Sequence, residues 1–160
     1  MKLLSALFAM VALCFSLNSF ALDDDQYMEL TAALTDGNLK VVKKYMEADP
    51  KLVNEKFFAW EPLQMAATKG RFETVKYLVE KGADKNYVHP ASKMSAFHLA
   101  AFDNYPEIVK YLAAQGADIN QKMKGGVSIV RVVRDEGNTK MVELLTSLGV
   151  KDDGCEEECF

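Results

Sequence analysis

The feature that most constrains the fold of this chain is a period of about 33 residues. One turn residue per unit recurs at intervals of 33, 34 and 33 residues, at Gly37, Gly70, Asn104 and Gly137. A second set recurs at intervals of 34 and 33 residues, at Gly82, Gly116 and Gly149. Glycine, and next to it asparagine, accepts the positive φ that ends a helix. A chain with such a period is expected to stack similar units in a row.

Each unit is predicted to contain two short helices. The first is rich in alanine, as at Ala66 and Ala67, and small side chains let neighbouring helices approach closely. Pro62 suits the first helical position, and Ser95 and Ser128 can cap the exposed amides of equivalent helices. The second helix has apolar residues at helical spacing, including Phe72, Val75, Leu78, Ile108, Leu112, Met141 and Leu145.

Two segments, PLQMAATKGRFETVKYLVEKGADKN and AFHLAAFDNYPEIVKYLAAQGADIN, resemble the ankyrin repeat almost position by position. The resemblance implies an all-α ankyrin-repeat solenoid of about four helix-turn-helix repeats joined by β-hairpin loops. His98 stands where the family motif has a histidine, which implies a structural role. The predicted domain is 22–153, and its repeats cover 25–56, 57–88, 89–122 and 123–150.

Residues 1–21 have the three parts of a secretory signal peptide. Lys2 is followed by an apolar run from Leu3 to Leu17 and then by Ser19-Phe20-Ala21, with cleavage expected after Ala21. A membrane anchor is the alternative, but the run is shorter than the roughly 20 residues that span a bilayer. A lipoprotein modified at Cys14 is a further alternative. We therefore expect export to the periplasm, with no membrane span after cleavage.

The tail 154–160 contains Cys155 and Cys159, which are predicted to form a disulfide in an oxidising compartment. A metal site built from these sulfurs and the three glutamates between them, or redox chemistry, is the alternative. The formal net charge of −4 disfavours nucleic acid as a partner, because phosphates would be repelled.

No catalytic set is evident in the sequence. The only two histidines are His89 and His98, and neither has an evident nucleophile or carboxylate partner. There is no glycine-rich phosphate loop. We therefore expect a protein that is not an enzyme and that has no cofactor and no metal.

Large apolar and aromatic side chains lie where the repeat register places hairpin tips, although loops are usually polar. The register places Phe102, Asp103 and Tyr105 at the exposed end of the first helix of the third repeat. The predicted partner-binding residues are Phe57, Phe58, Trp60, Tyr87, His89, Met94, Phe102, Asp103, Tyr105, Lys122 and Lys124. Three aromatic rings could bury about 450–750 Å², against roughly 800 Å² per side in a standard interface. The alternative is that the rings pack back onto their own helices, but Leu63, Met65, Phe97 and Leu99 already supply core residues.

The chain is also similar to small exported ankyrin proteins of two kinds. One kind comprises inhibitor or immunity proteins that protect predatory bacteria from their own peptidoglycan endopeptidases. The other is associated with periplasmic peroxide and catalase defence. The resemblance favours a periplasmic module, monomeric alone, that binds and inhibits a peptidoglycan peptidase. Peroxide defence or a general interaction scaffold is the alternative.

Overall fold

Four helix pairs follow one another in the computed structural model, which describes residues 22–152. The pairs are α1 (Asp24–Asp36) with α2 (Leu39–Ala48), α3 (Pro62–Ala67) with α4 (Phe72–Glu80), α5 (Ala96–Phe102) with α6 (Pro106–Ala114), and α7 (Ile129–Asp135) with α8 (Thr139–Ser147). Short 3-10 helices cover Pro50–Asn54 and Lys124–Gly126. Within residues 22–152 there is no strand, so the all-α solenoid is confirmed. The predicted signal peptide 1–21 and the Cys155–Cys159 pair lie outside the described residues.

The first helices form one layer and the second helices form another. Helices α1, α3, α5 and α7 pack in sequence, and α2 packs on α4, which packs on α6. Ala66, Ala67, Ala100 and Ala101 are fully buried, as expected for residues that allow close helix approach. Leu63 and Phe97 are buried core residues, whereas Met65 is only half-buried. Among residues 22–152, no helix has the length and apolar character required to cross a bilayer.

The turns between paired helices are linked along one edge of the stack. Gly70 has a φ of 68° and Asn104 a φ of 63°, which confirms their predicted left-handed conformation. Arg71 Nε donates to the carbonyl of Thr35 at 2.6 Å, one repeat earlier. The side-chain Nδ2 of Asn138 donates to Asn104 Oδ1 at 3.0 Å. The second turn is therefore bonded to the end of the first helix of the first repeat, and the fourth turn is bonded to the third.

A second row of links joins successive hairpins. The backbone N–H groups of Asp84, Asp118 and Lys151 donate to the side-chain oxygens of Asn54, Asn86 and Asn120, each at 2.8 Å. One asparagine per repeat therefore holds the start of the next hairpin. This ladder fixes the spacing of the hairpins, whose tips and neighbouring helix ends form the candidate site.

Candidate protein-binding site

A two-residue hairpin presents the aromatic residues that precede α3. The N–H of Phe57 donates to the carbonyl of Trp60 at 2.8 Å, and the reciprocal bond is 3.0 Å. The two central residues, Phe58 and Ala59, have φ values of 51° and 67°. Positive φ at both positions is typical of a type I′ turn, which normally selects asparagine and glycine. Two residues with β-carbons therefore hold a conformation that they rarely adopt.

The prediction that Phe57 faces outward is wrong. Its side chain is 1% exposed, and its ring centroid lies 5.1 Å from that of Tyr27 on α1. In the tight turn, successive side chains point in different directions, so Phe57 enters the core while Phe58 remains 82% exposed. The ring of Phe58 meets Tyr27 edge to face, with centroids 5.4 Å apart. Phe58 is thus the most exposed of the large apolar side chains within residues 22–152.

Trp60, Tyr87 and His89 join two hairpins to each other and are half-buried. The rings of Trp60 and His89 stack with centroids 4.5 Å apart. The Tyr87 hydroxyl donates to the carbonyl of Ala59 at 2.8 Å, inside the strained turn. The loop that carries Tyr87 and His89 therefore folds back and holds the preceding hairpin. These three predicted residues support the display of Phe58 and keep part of their surface exposed.

An apolar groove of about 490 Å³ lies between the last two hairpins and the inner ends of the first helices. We call it the groove; it is lined by Thr68, Ser92, Met94, Leu99, Phe102, Asp103, Met123, Lys124, Val127 and Val132. The N–H of Lys124 donates to the carbonyl of Ser92 at 3.0 Å and so joins the two hairpins that bound it. The predicted residues Met94, Phe102, Asp103 and Lys124 therefore come together, and Phe102 is 47% exposed.

Sequence reasoning missed six of the ten residues that line the groove, although a signal for part of it was present. Met94 precedes the cap Ser95, and Leu99 is the fourth residue of the helix that follows. Val127 and Val132 hold the same two positions around Ser128. Apolar residues at these positions commonly pack together as a hydrophobic staple at a helix start. The groove is thus lined by two successive staples. The repeat period alone would have identified Leu99 and Val132 as equivalent positions.

The two remaining predicted residues, Tyr105 and Lys122, do not line the groove. Tyr105 is half-buried and its ring lies against Gly70, because a β-carbon built at that glycine would be 2.3 Å from Tyr105 Cε1. It packs between inter-helix turns, so its predicted exposure at a helix end is corrected. Lys122 is exposed next to Met123, beside the groove.

His98 is a structural residue, as the family motif implies. It is fully buried, its Nδ1 accepts the Ser95 N–H at 3.0 Å, and its Nε2 lies 2.9 Å from the carbonyl of Gln121 in the next hairpin. These bonds fit the neutral ring with its proton on Nε2. Burial lowers the pKa of His98, chiefly through desolvation of the charged form. Gln64 makes bonds of the same kind in the preceding repeat, to the Glu61 N–H and the Met94 carbonyl.

Glu61 is a buried carboxyl group at the base of the hairpin that carries Phe58. It is 4% exposed, and its Oε2 has no hydrogen-bond partner within residues 22–152. Burial, with the nearby charge of Asp84, raises its pKa from 4.5 to about 7, although Lys56 opposes the shift. The folded protein therefore binds a proton at Glu61 between these pH values, while the unfolded chain does not.

We expect Glu61→Gln to stabilise the protein at pH 8 by about 1–2 kcal/mol, after allowance for solvent screening. The raised folded pKa means that the carboxyl is stable when protonated, so its contribution is present below pH 4.5 and is lost as pH rises through about 7. Thermal unfolding at pH 5 and pH 8 measures the difference. The exposed Glu143, on α8, is the control for an equivalent substitution. An equal effect of Glu61→Gln at both pH values would contradict the prediction.

No group of three or more His, Cys, Asp or Glu side chains within residues 22–152 could hold a metal ion. The geometry instead provides an exposed aromatic ring on a turn fixed by neighbouring side chains, two hairpins joined by a ring contact, and an apolar groove.

A profile of ankyrin repeats, in three copies, matches residues 30–123. The chain belongs to the ankyrin-repeat family. Ankyrin repeats indicate a protein-interaction module, and members of the family are typically not enzymes. The α7–α8 pair lies beyond the matched residues of this ankyrin protein.

Two curated relatives share the repeats. The ankyrin chain is 36% identical over 119 residues to Ankyrin repeat and SAM domain-containing protein 6 of Rattus norvegicus, which covers 72% of this chain and 13% of that protein. The Mus musculus protein of the same name is 35% identical over 119 residues, covering 72% of this chain and 14% of that protein. The chain thus spans about one-seventh of the length of these relatives. The likeness concerns the repeats.

Proposed function

We propose that this ankyrin protein is an exported module that binds a partner enzyme through its hairpin tips and groove and thereby inhibits it. The observation that carries the proposal is the 82% exposure of Phe58 at the tip of a turn. The turn requires a positive φ, which a residue with a β-carbon rarely adopts. Strained conformations of this kind persist where surrounding contacts enforce them, and they cluster at functional sites. Here the contacts come from Tyr27 and from the Tyr87 hydroxyl.

The held ring is suited to act as an interface hot spot. An aromatic side chain buries about 150–250 Å² when covered, and a preorganised one loses little conformational freedom on binding. Phe102 and the groove supply a second apolar surface, bounded by the last two hairpins. A protruding ring and a separate apolar groove can contact an enzyme without any chemistry of their own.

The first candidate for the partner is a peptidoglycan peptidase of the same cell. Two features of the sequence support this choice: the signal-peptide pattern in residues 1–21 and the similarity to small exported ankyrin inhibitors. The proposed compartment is therefore the periplasm. A strain that lacks the protein and keeps its exported peptidases should round up or lyse. Normal cell shape with increased killing by peroxide would contradict this target and favour peroxide defence.

The double variant Phe58→Asn/Ala59→Gly tests the binding role without harming the fold. Asn-Gly is the preferred pair for a type I′ turn, so the thermal stability should stay equal or rise. The aromatic ring is lost, so binding to the peptidase and its inhibition should weaken at least thirtyfold, as for a hot spot worth about 2 kcal/mol. Calorimetric titration and an activity assay against exported peptidases measure both.

The matched control is Phe58→Tyr, which keeps the ring and should keep most of the affinity. Inhibition that is unchanged by Phe58→Asn/Ala59→Gly would contradict a role for this ring. If no exported peptidase is inhibited by the unaltered protein at micromolar concentration, the proposed target is wrong.

A further inference from the structure

We infer that the groove receives an acidic segment of the partner protein that carries one large apolar side chain. This inference deepens the proposed function and rests on it, because it specifies the chemistry of the segment that binds. It follows from the charge of the hairpin tips, from the apolar lining of the groove, and from the position of the chain's own acidic segment.

The central segments of the hairpins contain lysines and no acidic residue, although acidic residues adjoin them in sequence. The formal net charge of the chain is −4, yet residues 56–60, 85–94 and 119–127 contain no aspartate or glutamate. The same segments contain five lysines, of which all but Lys85 are exposed: Lys56, Lys85, Lys93, Lys122 and Lys124. Such segregation of charge attracts a partner surface of the opposite sign and raises the rate of association.

Four carboxylates adjoin these segments in sequence, those of Glu55, Glu61, Asp84 and Asp118, and the last two accept local hydrogen bonds. Asp84 Oδ1 accepts the N–H of Asn86 at 2.8 Å, and Asp118 Oδ1 accepts the N–H of Asn120 at 3.0 Å. The carboxylate of Asp103, in the groove wall, accepts the hydroxyl of Thr68 at 2.6 Å. These acids therefore serve turns and a helix end. In the groove lining and next to it, the two lysines Lys93 and Lys124 outnumber the one acid, Asp103.

The rim of the groove is basic. Lys124 is one of its lining residues and Lys93 lies between the lining residues Ser92 and Met94, while Asp103 is the one acidic residue of the lining. Between these lysines the lining is formed largely by apolar side chains: Met94, Leu99, Phe102, Met123, Val127 and Val132. The volume of about 490 Å³ is within the range of pockets that enclose a compact ligand, about 300–1,000 Å³. An apolar anchor flanked by carboxylates therefore matches both the lining and the rim.

The chain has an acidic segment of its own, residues 152–158, but its start points away from the groove. Asp152 forms an ion pair with Arg134 of α7. Val132, which lines the groove, is only two positions from Arg134, and residues two apart on a helix do not share a face. The segment thus begins on another side of α7, which favours the partner protein as the occupant.

Peptide binding tests the inference with the full protein. The probe is a labelled nine-residue peptide with a central Phe-Leu pair flanked by three glutamates on each side; a second peptide has lysines in place of the glutamates. Fluorescence anisotropy at low salt should show the acidic peptide binding at least tenfold more tightly, with an affinity that falls as salt is added. Phe102→Ser should weaken this binding at least fivefold.

The charge variant Lys93→Glu/Lys124→Glu should abolish or reverse the preference for the acidic peptide. The control Lys110→Glu/Lys140→Glu makes the same change of charge at exposed positions on α6 and α8 and should keep the preference. Thermal unfolding of each variant checks that the fold is retained. Equal binding of both peptides, preference for the basic peptide, or no binding of the acidic peptide at 1 mM protein would each overturn the inference.

The other possible occupants are outcomes of the same experiment. A protein ending at residue 152 should bind the acidic peptide as the full chain does, whereas a gain of tenfold or more would identify residues 153–160 as the occupant and overturn the inference. Self-association that is lost with Lys93→Glu/Lys124→Glu would identify a second copy and also overturn it. Peptidase inhibition without peptide binding would leave the proposed function standing, and peptide binding without inhibition would contradict the proposed function alone.

Discussion

Replacing Gly70 by alanine is expected to destabilise the protein by about 3 kcal/mol, the sum of a backbone cost and a steric cost. Gly70 has a φ of 68°, which disfavours any β-carbon. The added carbon would also lie 2.3 Å from Cε1 and 2.6 Å from Cδ1 of Tyr105, so the ring would have to move. Because that ring packs on the turn of the preceding repeat, its displacement should loosen the contact between repeats.

Two other glycines in equivalent turns separate the two costs. Gly137 has a φ of 75° with nothing within 4 Å of an added carbon, so Gly137→Ala should cost about 1 kcal/mol. At Gly37 the nearest atom is Arg71 Cδ at 2.9 Å, part of a flexible side chain, and the cost should be intermediate. Urea unfolding measures all three. A cost for Gly70→Ala no larger than that for Gly137→Ala would show that Tyr105 moves freely.

Replacing His98 by alanine is expected to cost about 3 kcal/mol, because it removes a buried ring and leaves buried polar groups unpaired. The carbonyl of Gln121 loses its donor, and the N–H of Ser95 loses its acceptor. The link between the third helix pair and the following hairpin is then broken. Chemical unfolding at pH 7.5 measures the loss of stability.

His98→Gln is the matched variant and should recover most of that loss. One repeat earlier, Gln64 also accepts the N–H of the cap residue and donates to a carbonyl of the next hairpin, although to its other arm, so a glutamine can supply the same acceptor and donor. The substitution should also remove a pH dependence. Since burial lowers the pKa of His98, the folded state resists a proton that the unfolded chain accepts below about pH 6.5, and stability falls on acidification. A steeper acid loss in His98→Gln would contradict this explanation.

The repeat period was sufficient to predict the helices and their turns. Pro62 begins α3, and Ser95 and Ser128 precede α5 and α7, as their residue types indicate. The left-handed turn at Asn104 also followed from its place in the register. These features depend on residue types that recur at equivalent positions in each repeat, so the same local pattern can be seen several times in one sequence.

The display of the aromatic residues could not be predicted in the same way. Phe58 and Ala59 adopt positive φ without the asparagine and glycine that signal a type I′ turn, so the hairpin gave no sequence signature. The turn is held by residues distant in sequence, Tyr27 and Tyr87. The burial of Phe57 depends on that turn. Because the turn could not be predicted, Phe57 was predicted to face outward instead of into the core.

The asparagine ladder has a consequence for how the molecule opens. The side-chain oxygens of Asn54, Asn86 and Asn120 each accept an N–H from the next unit along the chain, so no bond of the ladder reaches beyond a neighbouring repeat. Opening can then begin at an end and proceed one unit at a time. Deuterium should enter the amides of the outer helix pairs first and those of α3–α6 last. A partner held across several hairpins would slow this fraying along the whole array.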